Sequence, residues 1–491
     1  MGGKRSSFGE KMIGITRWGA YVPYYRLDGL TLSQVWGESF TGERAVANYD
    51  EDSLTLAAEA IRICLKGEDP RTYQGLYYAS TSMPYREHQN ATLLATVGDL
   101  STDLFTADFS GSLRASTQAF RAAYDAVKAG SADKILVAAS DIRLGEPGSG
   151  FEATLGDAGA ALAMGKEGVV AEIQAFYSYS QDFLDVWRTE DQRYVKSGDQ
   201  KFIETYGYRT FIKKALEGLL NKVGLNKTDI SRVLFFAPDI RTFRSLSQDL
   251  GFKKEAYLPD PLLNTIGCTG TAYPFLLLIA ALEWANPGEK IVLLSYGSGS
   301  DAILLEVTEH IKSQSGTRIL AEQLHRKKNL NQYGKYLQFR KLVEVERLNP
   351  FSSLPVLWRE EKQNLRLYGQ KCRICGAIQY PPRHICWKCS ARNAFTEVRL
   401  NPRGKIFTFT KDYLVPTPNP PVVMVTVDLE GGGRFYAQMT DCEPDQVHIG
   451  MEVELTFRRL HEGEGYPNYF WKFRPVITIQ ESESRSQNDK I

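Results

Sequence analysis

Long apolar runs are missing from this sequence of 491 residues, and the longest, around Leu278, is too short to span a membrane. An excess of one charge is missing too: 59 Lys and Arg against 58 Asp and Glu leave a net charge of +1, which argues against nucleic-acid binding driven by bulk electrostatics. The first residues lack the apolar core of a signal peptide, which predicts a cytoplasmic location. Only 7 cysteines are present and four of them form one cluster, a usage typical of a reducing compartment rather than of a disulfide scaffold.

The rest of the composition is that of a soluble globular protein, with 43% hydrophobic and 24% charged residues in a length that suits two or three domains. One order of elements occurs twice, in residues 110–164 and 264–307. Each copy has a turn of small residues, a buried helix, an Asp/Glu-Lys-Ile strand, a turn with glycine and aspartate, and an apolar strand. The repetition predicts a duplicated α/β unit with two layers of buried helices between sheets.

The repeat places Ser112 and Leu113 opposite Cys268, both at the starts of buried helices that face a shared centre. A thiol at the first turn of a helix feels the positive end of the helix dipole, which favours the thiolate and would make Cys268 reactive. The alternative is that Cys268 is a small buried core residue, as free cysteines usually are. The residues alone leave both interpretations open.

We predict an N-terminal domain over residues 1–345, with halves at about 12–173 and 209–310. Between the halves, residues 174–208 are rich in aromatic side chains, and we interpret them as an excursion that caps a substrate pocket or forms a dimer surface. Residues 346–370 are predicted to be a linker.

The strongest local motif is a pair of C-x-x-C knuckles formed by Cys372, Cys375, Cys386 and Cys389. Tetrahedral zinc is bound by four converging thiolates of this kind, and four cysteines leave no open coordination position. The spacing therefore predicts a structural zinc ribbon, over residues 371–400.

After the ribbon, five strand candidates separated by glycine turns indicate a small OB-like barrel over residues 401–478; they lie at 404–410, 422–429, 434–439, 452–457 and 470–475. An OB fold suggests nucleic-acid binding, but fold alone is weak ground for function and the neutral charge does not support it. Residues 479–491 are polar and predicted to be disordered.

Residues 12–345 resemble the hydroxymethylglutaryl-CoA synthase branch of the thiolase superfamily, through the motifs Ala79-Ser80-Thr81-Ser82, Asp108-Phe109-Ser110-Gly111-Ser112-Leu113-Arg114-Ala115-Ser116-Thr117, Gly156-Asp157-Ala158-Gly159-Ala160-Ala161 and Tyr296-Gly297-Ser298-Gly299-Ser300-Asp301-Ala302. Residues 355–478 resemble the zinc-ribbon/OB-fold proteins that accompany thiolases, through Gly376, Tyr380-Pro381-Pro382-Arg383 and Trp471-Lys472-Phe473-Arg474-Pro475. The resemblance implies a duplicated five-layered thiolase-type α/β fold, followed by the ribbon and barrel. It also implies a coenzyme A thioester as substrate, a homodimer and a partner thiolase.

The family's catalytic residue types are not found at the matching positions. The resemblance puts the nucleophilic cysteine at Leu113, beside Ser112, and the general-base glutamate at Thr81. It puts the histidine at Phe236 and the asparagine at Cys268. Because leucine cannot form an acyl thioester and phenylalanine cannot polarise a carbonyl, the ordinary synthase reaction is not expected.

Three interpretations follow. The chain is an acyl-CoA enzyme that forms or thiolytically cleaves a carbon–carbon bond, with Cys268 as nucleophile or acid/base and Ser112, Thr81 or Tyr296 as hydrogen-bond donors. Alternatively, it is a non-catalytic subunit that binds CoA and scaffolds a thiolase. The third, a nucleic-acid module fused to a metabolic relic, is disfavoured by the neutral charge. We favour the enzyme, acting with a partner thiolase, and expect neither nucleic acid nor membrane as a partner.

Overall fold

The computed structural model describes residues 12–259, 261–314, 316, 318–346 and 350–476. The chain divides into two compact units, Met1–Glu344 and Val345–Ile491, next to the predicted boundary at residue 345. The tail predicted to be disordered, residues 479–491, lies outside the described residues.

The strands of the N-terminal unit that matter here are β1 (Gly14–Tyr21), β2 (Tyr25–Asp28), β3 (Glu43–Val46), β4 (Gly75–Ala79), β5 (Phe105–Phe109), β6 (Lys134–Asp141), β7 (Ala158–Gly165), β8 (Ala171–Ser180), β9 (Val186–Trp187), β10 (Lys196–Ser197), β11 (Arg232–Phe235), β12 (Lys290–Tyr296), β13 (Gly299–Val307) and β14 (Lys328–Asn329). Nine of them form one sheet in the order β11-β12-β13-β8-β1-β7-β6-β4-β5. The sheet is continuous because β1 pairs with β8 at Gly14↔Glu172 and Ile15↔Ala171.

The order of this sheet confirms the predicted duplication. In the first half, β1, β7, β6 and β4 are neighbours in that order, with β4 and β6 parallel and the other pairs antiparallel. In the second half, β8, β13, β12 and β11 repeat the same order and the same directions.

The predicted bounds of the second half and of the excursion were wrong. The second half begins with β8 at Ala171, not at residue 209, and β8 pairs with β13 along its whole length as far as Ser180. Tyr177 and Tyr179 belong to a strand in the middle of the sheet, and local sequence does not reveal this because the partner β13 is distant along the chain. The excursion therefore starts after Ser180.

The helices of this unit are α1 (Gly29–Trp36), α2 (Ser53–Cys64), α3 (Asn90–Val97), α4 (Ala115–Ala129), α5 (Gly150–Thr154), α6 (Gln200–Phe202), α7 (Arg209–Val223), α8 (Ile240–Leu250), α9 (Tyr273–Leu282), α10 (Ile319–His325) and α11 (Tyr333–Phe339). Helix α9 is apolar on every face, and all its residues except Ala280 are buried, as expected for a helix enclosed on all sides. It packs against α4, its counterpart in the first half, through Phe120 and Phe275, whose ring centroids are 5.8 Å apart. These two helices thus bring the loops before them together.

The C-terminal unit contains α12 (Leu354–Arg359), α13 (Glu361–Asn364), β15 (Tyr368–Cys372), β16 (Ile378–Gln379), β17 (Phe395–Arg399), β18 (Arg403–Asp412), β19 (Val422–Leu429), β20 (Arg434–Gln438), β21 (Glu452–Gly463) and β22 (Tyr466–Pro475). All five predicted barrel strands are present, in the order β20-β19-β18-β21-β22. The two edges meet where Met439 bridges Phe473, which closes the sheet into a barrel.

The predicted linker, residues 346–370, is not a free connection. It contains helices α12 and α13 and the start of β15, and the indole N–H of Trp471 donates to the carbonyl of Leu365 at 3.2 Å. The segment forms short, largely exposed helices within the C-terminal unit. Residues 347–349 lie outside the described chain.

Across the parts of the chain that the structure describes, no helix has both the length and the apolar character needed to cross a membrane.

Candidate active site

A cavity of about 740 Å³ opens in the N-terminal unit, at the ends of strands from both halves. The first half contributes the loop after β4 and the loop before α4, and the second half contributes the loops after β11 and β12 and the loop before α9. The excursion adds Leu184, Asp185, Val186, Trp187 and Arg188. The excursion therefore walls the cavity, which agrees with one of its two predicted roles.

The four positions that the resemblance assigned to catalysis all line this one cavity: Thr81, Leu113, Phe236 and Cys268. Ser112 and Tyr296 line it as well. The predicted meeting of Ser112 and Leu113 with Cys268 at a shared centre is therefore observed. None of the described residues that line the cavity is a histidine.

Cys268 lies two residues before a turn of 3-10 helix, Gly270–Ala272, that runs directly into α9. It forms a parallel bridge with Leu155, and its N–H donates to the carbonyl of Thr154 at 2.8 Å. Cys268 is only 2% exposed. Burial raises the pKa of the Cys268 thiol, and the positive charge of Arg143 only partly offsets this effect. The direction of this shift favours the neutral thiol near pH 7, which is the alternative that the residues alone left open.

Ser112 is held by the loop after β12. Its Oγ donates to the carbonyl of Gly297 at 3.1 Å and accepts from the N–H of Arg114 at 3.2 Å. The same loop is fixed by Arg114, whose guanidinium donates to the Asp301 carboxylate at 2.9 Å. The Ser112 proton therefore points to a carbonyl rather than to a base that would activate the hydroxyl as a nucleophile.

The hydroxyl of Thr81 is also engaged in a hydrogen bond. Its N–H and Oγ1 donate to the same oxygen of Asp141, at 2.7 and 3.0 Å, and the hydroxyls of Ser80 and Ser82 donate there at 3.0 and 2.8 Å. The other Asp141 oxygen accepts from the N–H of Thr271 at 2.8 Å. Asp141 thereby ties the end of β4 to the loop before α9 and shapes the cavity floor.

An aromatic cluster surrounds Phe236, the position to which the resemblance assigns the family's histidine. The rings of Phe236 and Tyr296 stack with centroids 6.2 Å apart, and the hydroxyl of Tyr208 donates to the carbonyl of Phe236. Burial, reinforced by the carboxylate of Asp185, raises the pKa of Tyr296 above its usual value. Burial also raises the pKa of Tyr208. Both phenols therefore keep their protons and can serve only as neutral donors at neutral pH.

Two cavity residues escaped sequence reasoning. Arg143 is buried, at 6% exposure, and lines the cavity two residues after the end of β6. Asp185 is buried in the same wall. The available signal for Arg143 was its place after the carboxyl end of a buried strand, where ligands gather in α/β sheets. Asp185 had no comparable signal, because its burial depends on the path of the excursion.

The zinc ligands predicted in the C-terminal unit do converge. The sulfur atoms of Cys372, Cys375, Cys386 and Cys389 all lie within 4.8 Å of one another, with Cys372–Cys389 at 3.7 Å and Cys375–Cys386 at 3.6 Å. Tetrahedral zinc with Zn–S bonds of about 2.3 Å requires sulfur atoms about 3.8 Å apart. The four thiols therefore fit a structural zinc ion.

Comparisons with known proteins agree with this division of the chain. Residues 359–394 match the family model described as the ChsH2 rubredoxin-like zinc ribbon domain, and residues 397–458 match the ChsH2 C-terminal OB-fold domain. Hydroxymethylglutaryl-CoA synthase of Pyrobaculum arsenaticum is 31% identical over 346 residues, covering 68% of this chain and 99% of that protein. The enzyme of the same name from Methanopyrus kandleri is 32% identical over 347 residues, covering 68% and 99%.

Solved structures agree on the fold of the N-terminal unit. An HMG-CoA synthase complexed with CoA has a TM-score of 0.62 at 20% identity, covering 70% of this chain and 96% of that one. The 3-oxoacyl-[acyl-carrier-protein] synthase III of Aquifex aeolicus has a TM-score of 0.54 at 18% identity, covering 60% and 99%. The predicted thiolase-type α/β fold is confirmed. The chain therefore belongs to the hydroxymethylglutaryl-CoA synthase family of the thiolase superfamily, and carries zinc-ribbon and OB-fold domains of the ChsH2 type after its synthase-like unit.

Proposed function

We propose that the N-terminal unit binds an acyl-CoA and forms or thiolytically cleaves a carbon–carbon bond in it, using residues other than those of its family. The observation that carries this proposal is the cavity of about 740 Å³ on which all four family positions still converge. An open cavity of this size, lined by apolar walls and by polar groups from both halves, is of the kind that binds a small-molecule ligand.

In this proposal no acyl-enzyme forms at residue 113, since a leucine side chain offers no nucleophile. Cys268 and Ser112 remain the candidate catalytic residues. The neutral Cys268 thiol suits an acid/base role better than a nucleophilic one, because a raised pKa leaves little thiolate to attack a thioester. Thr81 and Tyr296 are the further proton donors of the cavity.

The C-terminal unit has a structural role in this proposal. Four cysteines would hold zinc in a closed site that stabilises the ribbon fold. We further propose that the chain forms a cytoplasmic homodimer and works with a partner thiolase in a multienzyme complex. The resemblance to the family supports this proposal.

A second candidate is a catalytically degenerate subunit that binds CoA and scaffolds a thiolase. It is favoured by Leu113, by Phe236, and by the hydroxyls of Ser112 and Thr81, which are already engaged by neighbouring groups. In this case the cavity would hold an acyl-CoA without transforming it.

Mass spectrometry and turnover assays with a panel of acyl-CoAs, alone and with a thiolase, separate the two candidates. Product formed by the chain alone, or an acyl adduct on Cys268 or Ser112, supports the enzyme. Product formed only with the thiolase present supports the scaffold, and failure to bind any acyl-CoA contradicts both. Cys268→Ala tests the acid/base role against the matched control Cys64→Ala, because Cys64 is equally buried but lies outside the cavity.

A further inference from the structure

Much of the cavity lining is apolar, and the excursion supplies a large part of it. Val186 and Trp187 form β9, and Ile203 and Tyr208 begin and end a single π-helical turn, Ile203–Tyr208. A π-helical turn of this kind is rare and is often found at a functional site. Two side chains at family positions complete what we call the apolar lining, which consists of Leu113, Val186, Trp187, Ile203, Tyr208 and Phe236.

Hydrogen bonds fix the apolar lining beside the positions that the resemblance assigns to catalysis. The guanidinium of Arg188, the residue after Trp187, donates to the carbonyl of Thr81 at 2.5 Å. The hydroxyl of Tyr208 donates to the carbonyl of Phe236, and the centroids of their rings are 6.4 Å apart. The acyl end of a ligand bound at these positions would therefore contact the apolar lining.

The hydroxyl groups at these positions are already engaged with the protein. Ser112 Oγ donates to the carbonyl of Gly297 at 3.1 Å, and Thr81 Oγ1 donates to the carboxylate of Asp141 at 3.0 Å. A polar substituent on the acyl group would exchange its hydrogen bonds to water for few new ones, which is costly. An apolar substituent has no such hydrogen bonds to lose.

Two carboxylates that lie close in sequence to the apolar lining are engaged as well. Glu204 pairs with Arg209 at 2.6 Å, and the two oxygens of Asp239 accept from Thr242, one from its N–H at 2.8 Å and the other from its hydroxyl at 3.0 Å. Both carboxylates thus have partners within the protein and do not require a cation or a hydrogen-bond donor on the acyl group.

Trp187 is the largest side chain of the apolar lining, and it is half-buried. Among the described residues its ring pairs with no other aromatic ring. In contrast, the rings of Tyr208 and Phe236 both pair with that of Tyr296, with centroids 5.2 and 6.2 Å apart. Stacked and edge-to-face contacts between rings stabilise a complex beyond the burial of their area. A ring on the acyl group would therefore give Trp187 the aromatic partner that it lacks.

We propose that the cavity selects an acyl-CoA whose acyl group carries an aromatic ring, which packs against Trp187 and Phe236. This inference rests on the proposed function and names its substrate class, the CoA thioesters of aromatic acids. Leu113 and Phe236 have no polar side-chain group to offer a substrate, and here each contributes apolar contact area around the ring.

Calorimetric binding of a matched ligand pair to the full chain tests the proposal. Phenylacetyl-CoA and acetyl-CoA differ only in a phenyl ring on the acyl group. We expect phenylacetyl-CoA to bind at least about 10-fold more tightly, because the burial of one phenyl ring contributes this much. Trp187→Ser should remove most of this preference without weakening acetyl-CoA or free CoA, and Trp187→Phe should retain part of it. Trp284→Ser, at an exposed tryptophan outside the cavity, should leave it intact.

The outcomes separate this inference from the function on which it rests. Equal binding of both esters by the unaltered chain, or tighter binding of acetyl-CoA, overturns the inference and leaves the acyl-CoA function standing. An unchanged preference in Trp187→Ser also overturns it, as does an equal weakening of free CoA and both esters, which would assign Trp187 to the CoA moiety. No binding of any CoA ester contradicts the proposed function itself. Thermal unfolding checks that each variant folds, and Phe236→His, which should reduce the preference, provides the test if Trp187→Ser does not fold.

Discussion

The four-cysteine zinc site of the ribbon and the candidate active site in the cavity contrast in how they are built. In the ribbon, the four expected ligands are all cysteines on two short knuckles, and their sulfur atoms converge. In the cavity, the four positions that the family resemblance assigns to catalysis also converge, and they are Thr81, Leu113, Phe236 and Cys268.

The difference shows that the shape of a cavity in an α/β fold does not depend on the residues that would react in it. A metal ribbon loses its fold when its ligands are lost, because metal binding energy is folding energy. The cavity is held by other groups, such as the Arg340–Asp157 pair and the Asp141 network, so its reacting residues can change while its shape persists. The following experiments are designed to break or sharpen this contrast.

The largest effect is expected from removing a zinc ligand. Cys386→Ser should abolish stoichiometric zinc and unfold the ribbon, because structural zinc contributes about 10–16 kcal/mol in zinc-finger peptides. Metal analysis and limited proteolysis of the full chain would measure this. Cys442→Ser changes a cysteine outside the cluster and should retain full zinc; loss of zinc in that variant would contradict the ligand assignment.

Breaking the buried pair beneath the cavity should give the next largest effect. Asp157→Asn leaves the charge of Arg340 uncompensated at a site with no exposure, which should destabilise the N-terminal unit by about 3–5 kcal/mol. Denaturant unfolding would measure the loss, and zinc content should stay unchanged. The control Asp125→Asn removes an exposed pair with Arg121 and should cost less than about 1 kcal/mol. Similar losses in both variants would show that the Asp157 pair is not structural.

A cysteine placed at residue 113 should show whether the surroundings of this position still make a thiol reactive. Leu113→Cys places a half-buried thiol just before the 15-residue helix α4, where the helix dipole favours the thiolate. We expect alkylation of this thiol at pH 7.5 to be at least about 10-fold faster than that of Cys268. Peptide mass mapping would compare the two sites in one sample, and equal rates would show that residue 113 no longer has an activating environment.

The pH response of Cys268 itself gives the last test. Because burial raises the pKa of the Cys268 thiol above its ordinary value near 9.0, the thiol stays mostly protonated below pH 9 and the small thiolate fraction grows with pH. The alkylation rate should therefore rise about tenfold per pH unit from pH 7 to 9 without levelling off. A plateau below pH 8 would mean that a thiolate forms there after all. Prior incubation with an acyl-CoA should slow the labelling.

Much of the architecture could be read from local patterns. The two knuckles, the five barrel strands and the duplicated order of elements all depend on residues close in sequence, so local patterns predict each of them. Prediction and structure differ where pairing is long-range. Local sequence does not reveal that β8 belongs to the sheet, because its partner β13 lies more than 100 residues away, and the helices before β15 are too short to give a clear periodic pattern.

The candidate site was predicted less completely, for an electrostatic reason. Sequence position indicated that Ser112, Leu113 and Cys268 would meet, but not that Cys268 would be so desolvated that its pKa rises. Arg143 follows the carboxyl end of β6, but its burial beside the cavity cannot be read from its local sequence. Such a property exists only after distant chain segments have surrounded the side chain.

By itself, the sequence determined the zinc ligands and the α/β duplication. These depend on residue identity and short spacing, which need no long-range contact to be read. Only the tertiary structure decided that burial raises the pKa of the Cys268 thiol and that the excursion lines the cavity. Burial and charge balance are set by whichever segments pack around a group, so no local pattern can encode them alone.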